Sequence, residues 1–506
     1  MSGIVERIFP KKKTKESDSF SGKGYEIDGA EESRAPLSTV NISYFFCKKK
    51  DIFSVENVSR ISEELGVAEE VVIADLRKVC EDMMDNLTCV VEYPYVDEYY
   101  RDCYYSFYSR KHNDYNRNCF RMSFFFPEVK EDNYFDVDME GRYYGYIVLQ
   151  PTPRCIIGYC FLNPRVYKDH AFSICCCTRD SFVMGRKVTT TAFPYSGQDG
   201  EVKSCAETSI LCMCDYFSRK YNRYIRILPS QISTMVSDNP LSRQQPTIGI
   251  EIENVERILN SNGITTRRYE KVTEEPSKQD NRLLYDDFYR MLGIYVESGF
   301  PIYVSTSTHA MLIVGRGNEG ITGGRYVCID DNKRPYSNLV DEKEIQSFIV
   351  PHAENILTKA QEIDVDGLLK YFQKLYKDID LIDTNERYQH RLLLTTSRLY
   401  KDYVVHSEME KDNKIMVVCT AMPKFIWVSE SIRENEVRKS MGEACVDTVC
   451  ILDATEFSHA NNRLLMVKTK NKLIVPVQDR LQRKNVSYIV NNSTEKMHPF
   501  FNNLKG

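Results

Sequence analysis

Residues 301–330 contain three short runs with the composition of β-strands, PIYVSTS, HAMLIVG and RYVCID. This cluster constrains the fold more than any other feature of the chain, because β-rich runs bounded by polar or glycine-containing stretches are typical of strands. The last two runs are predicted to pair as a hairpin, with the glycines of GRGNEG at 315–320 in its loop. Residues 204–300 have mostly helical patterns. Separate blocks of helices and strands indicate the α+β class.

The GRGNEG segment also fits the GxGxxG pattern of dinucleotide-binding sites. Such a site requires a helix to begin there and to direct its N-terminus at the pyrophosphate. The residues that follow, ITGGRYVCID, instead contain a second glycine pair and a strand. The chain has no GxxxxGK[ST] or HExxH motif, and its 17 cysteines include no CxxC pair. We therefore expect no cofactor and no bound metal.

Composition and charge indicate a cytoplasmic protein with reduced thiols. The net charge of -5 creates no general attraction to nucleic acid or to anionic lipid, so neither is expected as a partner. No apolar run approaches the ~20 residues that cross a bilayer, and the first residues contain no apolar core of signal-peptide length. The cysteines are odd in number and scattered, which argues against a disulfide framework.

Changes of pattern along the chain predict five segments. The segments are a flexible tail at 1–38, a helical segment at 39–92, an aromatic-rich and mostly β region at 93–190, a catalytic domain at 191–352 and a C-terminal α+β domain at 353–506.

The helical segment contains a helix pattern that is broken at Gly66 and resembles a helix-turn-helix. We interpret it as two packed helices, because the second helix carries acids as well as bases, which argues against contacts with DNA.

Cys205 is the candidate nucleophile. Ser204 and Glu207 fit a capping box, which predicts Cys205 at the first position of a helix. Unpaired N–H groups and the helix dipole favour a thiolate at that position. Cys212 and Cys214 lie deeper in the same helix and lack this advantage. The helix continues with an apolar stripe of Ile210, Cys214, Phe217 and Tyr221.

His309 is the candidate base, because it opens the apolar run HAMLIVG at the end of a predicted strand. The next strand ends in Asp330 and Asp331. A hairpin between the two strands would bring one of these carboxylates beside the imidazole, where it would hold the tautomer and stabilise the imidazolium. If the carboxylate beside the imidazole lies on the strand face of Val327 and Ile329, it belongs to Asp331. If it lies on the opposite face, it belongs to Asp330. Asp330 is preferred, and Asp331 is the alternative.

The order of Gln198, Cys205, His309 and the aspartate pair resembles that of the papain-like cysteine peptidases. The distance along the chain from Gln198 to the aspartates is short, which is more similar to the compact bacterial peptidase domains of peptide-exporting ABC transporters than to papain itself. The resemblance covers about residues 190–350. The chain departs from papain itself in three ways. It lacks the CGSCW motif, Gln198 lies seven residues before the cysteine rather than six, and no tryptophan follows the aspartates.

The resemblance implies a papain-like core flanked by an N-terminal helical and β region and a C-terminal α+β domain. It implies that Cys205 is the nucleophile, His309 the general base and acid, and Asp330 or Asp331 the orienting carboxylate. It also implies that Gln198 and the N–H of Cys205 form the oxyanion hole.

The activity implied is hydrolysis of an amide or isopeptide bond in a protein or peptide substrate, through a thioester acyl-enzyme. Two alternatives stay open. An amine could capture the acyl-enzyme, as in transglutaminase-like or acyltransferase-like chemistry, or the core could be a catalytically silent recognition module. The N- and C-terminal regions are each large enough to bind a protein partner.

Overall fold

Three sheets, antiparallel except for one parallel strand pair in the second, with helices between and around them give the chain an α+β architecture, as predicted. The computed structural model describes residues 43–236, 249–272, 282–318, 326–339, 341–352, 356–375, 386–437, 439, 443–455, 464–478, 485–491 and 496–504. The predicted tail at 1–38 lies outside these residues.

The helices within the described residues are α1 Val55–Leu65, α2 Glu69–Cys80, α3 Glu98–Ser106, α4 Cys205–Lys220, α5 Pro229–Val236, α6 Ile252–Ser261, α7 Tyr285–Glu297, α8 Val365–Leu375, α9 Ser397–His406 and α10 Lys411–Cys419. The strands are β1 Ser43–Lys48, β2 Thr88–Tyr95, β3 Cys119–Phe125, β4 Tyr143–Leu149, β5 Ile157–Leu162, β6 Phe172–Ile174, β7 Cys177–Val183, β8 Arg186–Ser196, β9 Thr265–Val272, β10 Arg282–Leu284, β11 Ile302–Ser305, β12 Ala310–Gly317, β13 Tyr326–Ile329, β14 Ser337–Asn338, β15 Ser347–His352, β16 Tyr388–Thr396, β17 Phe425–Arg433, β18 Thr448–Asp453, β19 Leu464–Thr469, β20 Lys472–Gln478 and β21 Asn485–Asn491.

The first sheet has seven strands in the order β1-β2-β3-β4-β5-β8-β7. The predicted helical segment at 39–92 is therefore partly wrong, because it contains β1 and most of β2. Its two helices are present, and α1 ends at Gly66, whose φ of 65° is a left-handed conformation that glycine adopts without strain. The boundaries predicted after residues 92 and 190 fall inside β2 and β8, so the backbone hydrogen bonding of the sheet continues across both positions.

The second sheet has eight strands, seven of them in the order β10-β9-β15-β11-β12-β13-β14, with β6 also paired to β12. Both of its faces are buried. On β12, Leu312 and Val314 pack into the core shared with the first sheet, whereas Met311 and Ile313 pack into a second core shared with α7 and the third sheet. Burial on both faces explains why the sequence of β12 is an almost continuous apolar run rather than an alternating one.

Helix α4 lies between the first and second sheets, in contact with β7, β8 and β12. Every side chain from residue 206 to residue 217 is buried. The predicted apolar stripe therefore underestimates the burial, since polar residues on the other faces are enclosed as well. Asp215, for example, accepts a 2.5 Å hydrogen bond from the hydroxyl of Tyr159 and a 2.9 Å bond from Nε of Arg219.

The third sheet is a six-stranded antiparallel meander from β16 to β21. It follows the boundary predicted at residue 353 and shares no backbone ladder with the other sheets in the part of the chain that the structure describes. Side chains on one face of the third sheet nevertheless pack into the second core. Trp427 is fully buried there and donates from Nε1 to the carbonyl of Thr358 at 3.1 Å. On its other face the sheet packs against α9 and α10 through Tyr400, Val404 and Val417.

Candidate functional site

Cys205 is the first residue of α4, as the capping box predicts. The backbone N–H of Ser204 donates to Oε2 of Glu207 at 3.1 Å, and the Ser204 hydroxyl donates to the same oxygen. The Cys205 side chain is half-buried, whereas Cys212 and Cys214 in the same helix are fully buried. The helix start therefore places one partly accessible thiol where the helix dipole favours negative charge.

The loop before Cys205 is held by a single carboxylate. Oδ1 of Asp199 accepts hydrogen bonds from the backbone N–H groups of Glu201, Val202 and Lys203, at 3.0, 2.7 and 3.0 Å. The ammonium group of Lys203 is buried beside it, 4.0 Å from Oδ2 of Asp199 and 3.3 Å from Oε1 of Gln150. Side-chain bonds to successive backbone groups fix a loop that has no regular secondary structure.

His309 directly precedes β12, in the turn that joins β11 to β12. Thr306 closes this turn, because its N–H donates to the carbonyl of His309 at 2.9 Å and its Oγ1 accepts from the N–H of His309 at 3.0 Å. The predicted pairing of the two strands is confirmed, but the prediction that the glycines at 315–320 lie in the loop is partly wrong, because Gly315 and Gly317 belong to β12. β12 and β13 pair antiparallel with Leu312 opposite Ile329, which brings the residue after β13 beside the one before β12.

The imidazole of His309 lies between the thiol and the carboxylates. Its Nε2 is 2.9 Å from Oδ1 of Asp330 and 3.7 Å from Oδ1 of Asp331. The side chain of Cys205 is close enough to the ring to contribute to the raised pKa of His309. Because Nε2 is engaged by Asp330, Nδ1 is the ring nitrogen that remains for Cys205. The structure therefore brings Cys205, His309 and Asp330 together in the order that the sequence predicts.

The electrostatics of the His309–Asp330 pair favour the charged form of both groups. The hydrogen bond to Asp330, helped by the neighbouring side chain of Cys205, raises the pKa of His309 to about 10. Burial alone would raise the pKa of Asp330, but the hydrogen bonds from His309 and from the N–H of Asn332 lower it to about 2. An imidazolium facing a carboxylate is thus the stable state at neutral pH.

Asp331 has a different environment, although it is the next residue. Its Oδ2 accepts a 3.2 Å hydrogen bond from the hydroxyl of Thr208 on α4, while its Oδ1 is buried and has no hydrogen bond within the described residues. Burial raises the pKa of Asp331 to about 6. Strand alternation does not decide between the two aspartates because the chain turns at Asp330, whose Oδ1 accepts from the N–H of Asn332 at 3.0 Å.

Gln198 lies at the same site, but its hydrogen bond there goes to a residue that the sequence reasoning missed. Its Nε2 donates to Oδ1 of Asn332 at 2.6 Å, and Nδ2 of Asn332 is 3.5 Å from Nε2 of His309. The signal for Asn332 was its position directly after the aspartate pair. Gly197 permits this arrangement, because a Cβ there would lie 2.2 Å from the carbonyl oxygen of Ile157.

One group of potential metal ligands occurs among the described residues, and it belongs to this site. Donor atoms of His309, Asp330 and Asp331 lie within 4.8 Å of one another. However, Nζ of Lys333 is 3.3 Å from Oδ2 of Asp330, and Oδ1 of Asp330 already accepts two hydrogen bonds. Both oxygens of Asp330 are therefore engaged by protein groups, and the neighbouring ammonium opposes a cation.

Comparisons of the chain with family models, with curated proteins and with solved structures find no match. No helix in the described part of the chain is long and apolar enough to cross a membrane.

Proposed function

We propose that the chain is a papain-like cysteine peptidase that hydrolyses an amide or isopeptide bond in a protein or peptide substrate. The observation that carries this proposal is the position of one imidazole, that of His309. It hydrogen-bonds a buried carboxylate at the end of β13 and lies beside the thiol at the start of α4, which contributes to its raised pKa. A nucleophile, a base and an orienting acid in hydrogen-bonded series are the requirements of covalent acyl transfer.

In the proposed reaction, the Cys205 thiolate attacks the carbonyl carbon and the carbonyl oxygen becomes an oxyanion. The N–H of Cys205 and the amide of Gln198 are the proposed donors to this oxygen. Helix N-terminal N–H groups have no partner within the helix, so the first donor needs no rearrangement. The imidazolium of His309 then protonates the leaving amine, and the carbon–nitrogen bond breaks to leave a thioester.

Deacylation uses the same groups in reverse. Neutral His309 takes a proton from water, the hydroxide oxygen attacks the thioester carbon, and the carbon–sulfur bond breaks. The product acid departs and the thiolate–imidazolium pair is restored. Asp330 keeps Nε2 of His309 engaged throughout, so Nδ1 stays directed at the thiol. Asp331 is proposed to be a buried neighbour that takes no part in these steps.

Thiol labelling and product analysis test the proposal together. We expect iodoacetamide near neutral pH to modify Cys205 before the exposed Cys419, because Cys205 lies at a helix N-terminus beside the imidazolium of His309, and we expect Cys205→Ala to remove this rapid phase. Cys212→Ala is the matched control on the same helix and should leave the rapid phase intact. New peptide N-termini in a cell lysate should appear with the wild type and be absent with Cys205→Ala.

The free energy of unfolding of Cys205→Ala should be close to that of the wild type. Removing one small side chain at a cleft should lower it by less than the ~2–5 kcal/mol of core truncations. Slow, uniform labelling of all accessible thiols in the folded wild type would overturn the proposal and favour a silent recognition module. Products that carry an added primary amine, rather than free acids, would instead assign the site to acyl transfer.

A further inference from the structure

A second cleft lies at the opposite end of α4 from Cys205. We call it the aromatic cleft; its empty volume, counted to its open mouth, is about 800 Å³. Helical rise places Lys220, at this end, about 22 Å from Cys205 along the axis, so the cleft is outside the candidate active site. The rings that wall it are Tyr216, Phe217, Tyr221, Tyr224, Phe300 and Phe425.

The charges in the aromatic cleft all have one sign. Among the described residues, Lys220, Arg223 and Lys424 line it, and no aspartate or glutamate does. Nζ of Lys220 donates to the hydroxyl of Tyr216 at 2.5 Å and lies 5.0 Å from the centre of that ring. Nζ of Lys424 lies 5.3 Å from the centre of the Phe425 ring.

Neither lysine has a carboxylate within ion-pair distance among the residues that the structure describes. Both lysines are exposed, and each ammonium lies beside an aromatic ring, which compensates a cation only in part. A neutral apolar ligand would remove water from the two ammonium groups without giving them a partner of opposite charge. A cationic ligand would be repelled by them. An anionic group on the ligand would pair the ammonium groups, while a planar ring would stack on the aromatic walls.

We propose that the aromatic cleft binds a planar aromatic molecule that carries a carboxylate or a phosphate group. Pockets that hold small molecules combine apolar and aromatic walls with a few convergent polar groups, and this cleft has that composition. Two sources share this chemistry, a small aromatic carboxylate and a mononucleotide. The site does not depend on the proposed function, because none of the groups around Cys205 lines it.

Calorimetric titration of the full chain with matched probes tests the proposal. The anionic probes are indole-3-acetate and AMP, and their neutral partners are indole-3-acetamide and adenosine. We expect at least one anionic probe to bind, and to bind at least about fivefold more tightly than its neutral partner. Binding of indole-3-acetate alone assigns a small carboxylate, and binding of AMP alone assigns a nucleotide.

Variants then locate the binding site. The double variant Lys220→Met, Lys424→Met keeps the apolar stems and should weaken the anionic probe at least about fivefold while leaving its neutral partner unchanged. Lys50→Met is the matched control, since Lys50 is an exposed lysine far along the chain from the cleft. Thermal unfolding checks that each variant is folded. Cys205→Ala should bind the probe as the wild type does, which separates this test from that of the peptidase.

Failure of both anionic probes to bind would overturn the proposal. Equal affinity for an anionic probe and its neutral partner, or an equal loss in Lys50→Met, would overturn it as well.

Discussion

Asp330 and Asp331 are consecutive residues with opposite electrostatic behaviour. Asp330 gains an imidazolium partner, and its pKa falls to about 2. Asp331 is equally buried but has one oxygen unpaired among the described residues, and burial raises its pKa to about 6. Desolvation therefore dominates at one residue and hydrogen bonding at the other. This difference gives the two residues distinct predicted roles that single substitutions can separate.

Asp330→Asn should lower turnover strongly, because an amide cannot stabilise the imidazolium of His309 as a carboxylate does. Asp331→Asn should leave most of the turnover and should raise the free energy of unfolding. The measurements are initial rates and denaturant unfolding of both variants beside the wild type. A larger loss of turnover in Asp331→Asn than in Asp330→Asn would contradict the assignment of the orienting acid.

The gain in Asp331→Asn should depend on pH. The folded pKa of Asp331, about 6, is above the ~3.9 of an unfolded aspartate, so its contribution to stability is fully present below about pH 4 and is lost as the pH rises through 6. Replacing the carboxyl group removes this loss. The variant should exceed the wild type by roughly 1–3 kcal/mol above pH ~6 and by almost nothing at pH ~4.

His309 and His352 should not titrate between pH 5 and pH 8, for opposite reasons. His309 should stay charged, because its hydrogen bond to Asp330 raises its pKa to about 10. His352 should stay neutral, because burial against Tyr295 and Phe300 lowers its pKa to about 3. NMR of protein labelled with ¹³C at histidine Cε1 would measure this.

His309→Ala and His352→Phe should each remove one of the two signals that do not shift with pH. A signal that is lost in His309→Ala and has a midpoint near the ~6.5 of a free histidine would contradict the ion pair with Asp330. The signs for stability also differ. His309 stabilises the fold below pH ~6.5 and loses this effect as the pH rises through 10, whereas His352 destabilises it as the pH falls below ~6.5.

At the scale of elements, the start of α4 determines where the thiol lies. Ser204 and Glu207 cap the helix, and Asp199 fixes the loop that leads into it. The capping interactions are local, so they follow directly from residue type and spacing.

Ser204→Ala should reduce both stability and the reactivity of Cys205. Loss of the cap should cost about 0.5–2 kcal/mol in the free energy of unfolding. A less ordered first turn should also slow alkylation of the thiol roughly two- to fivefold, the size of a helix-terminus charge effect. Chemical denaturation and iodoacetamide kinetics measure the two quantities.

Ser54→Ala is the matched control for this experiment. Ser54 caps α1, and its Oγ accepts from the N–H of Asn57 at 3.3 Å. Ser54→Ala should lower the free energy of unfolding by an amount in the same range and should leave the alkylation rate of Cys205 unchanged. An equal change of alkylation rate in both variants would show that the effect arises from global stability rather than from the start of α4.

At the scale of the whole molecule, a buried charge network links the second and third sheets. Arg391 on β16 donates to Glu297 at the end of α7 at 2.6 Å and to Glu430 on β17 at 2.7 Å. Arg316 on β12 pairs with the same Glu297. The guanidinium of Arg391 also lies 4.5 Å from the centre of the Phe501 ring. Residues after 353 thus have their own sheet but share charges and core with the part that holds the candidate site.

We therefore expect the described sheets to unfold in one transition. The single tryptophan, Trp427, reports on the third sheet by fluorescence, and rapid alkylation of Cys205 reports on the site between the other two. The two probes should give the same denaturant midpoint. A protease cut between residues 351 and 366 should leave the two fragments associated. Separate midpoints, or a stable fragment released by the cut, would support an independent C-terminal domain.

Arg391→Met should lower the free energy of unfolding by about 3–5 kcal/mol, because it leaves the buried carboxylate of Glu430 without its cationic partner and removes one of the partners of Glu297. Arg290→Met is the control, since its pair with Asp287 is more than half exposed and should contribute little. In Arg391→Met, the denaturant midpoint followed by Trp427 fluorescence and the midpoint followed by Cys205 alkylation should shift by the same amount.

Much of the candidate site could be predicted from the sequence because its parts are locally encoded. Ser204 and Glu207 specify the helix start, and the runs around His309 specify the hairpin. The segment boundaries could not be predicted in the same way. A pattern change at residue 92 or 190 does not reveal that β2 and β8 continue across it, since strand pairing joins residues far apart in the chain.

By itself, the sequence determined the α+β class, the position of Cys205 at the first turn of a capped helix and the hairpin that follows His309. These features depend on short-range spacing and on the residue types of single elements. Only the tertiary structure decided that Asp330 is nearer to the imidazole than Asp331, that α4 is enclosed on all sides, and that Asn332 joins Gln198 to the site. Those outcomes arise from a turn that ends strand alternation and from burial between two sheets. Burial and long-range contacts are set by the whole fold and not by the residues next to each position.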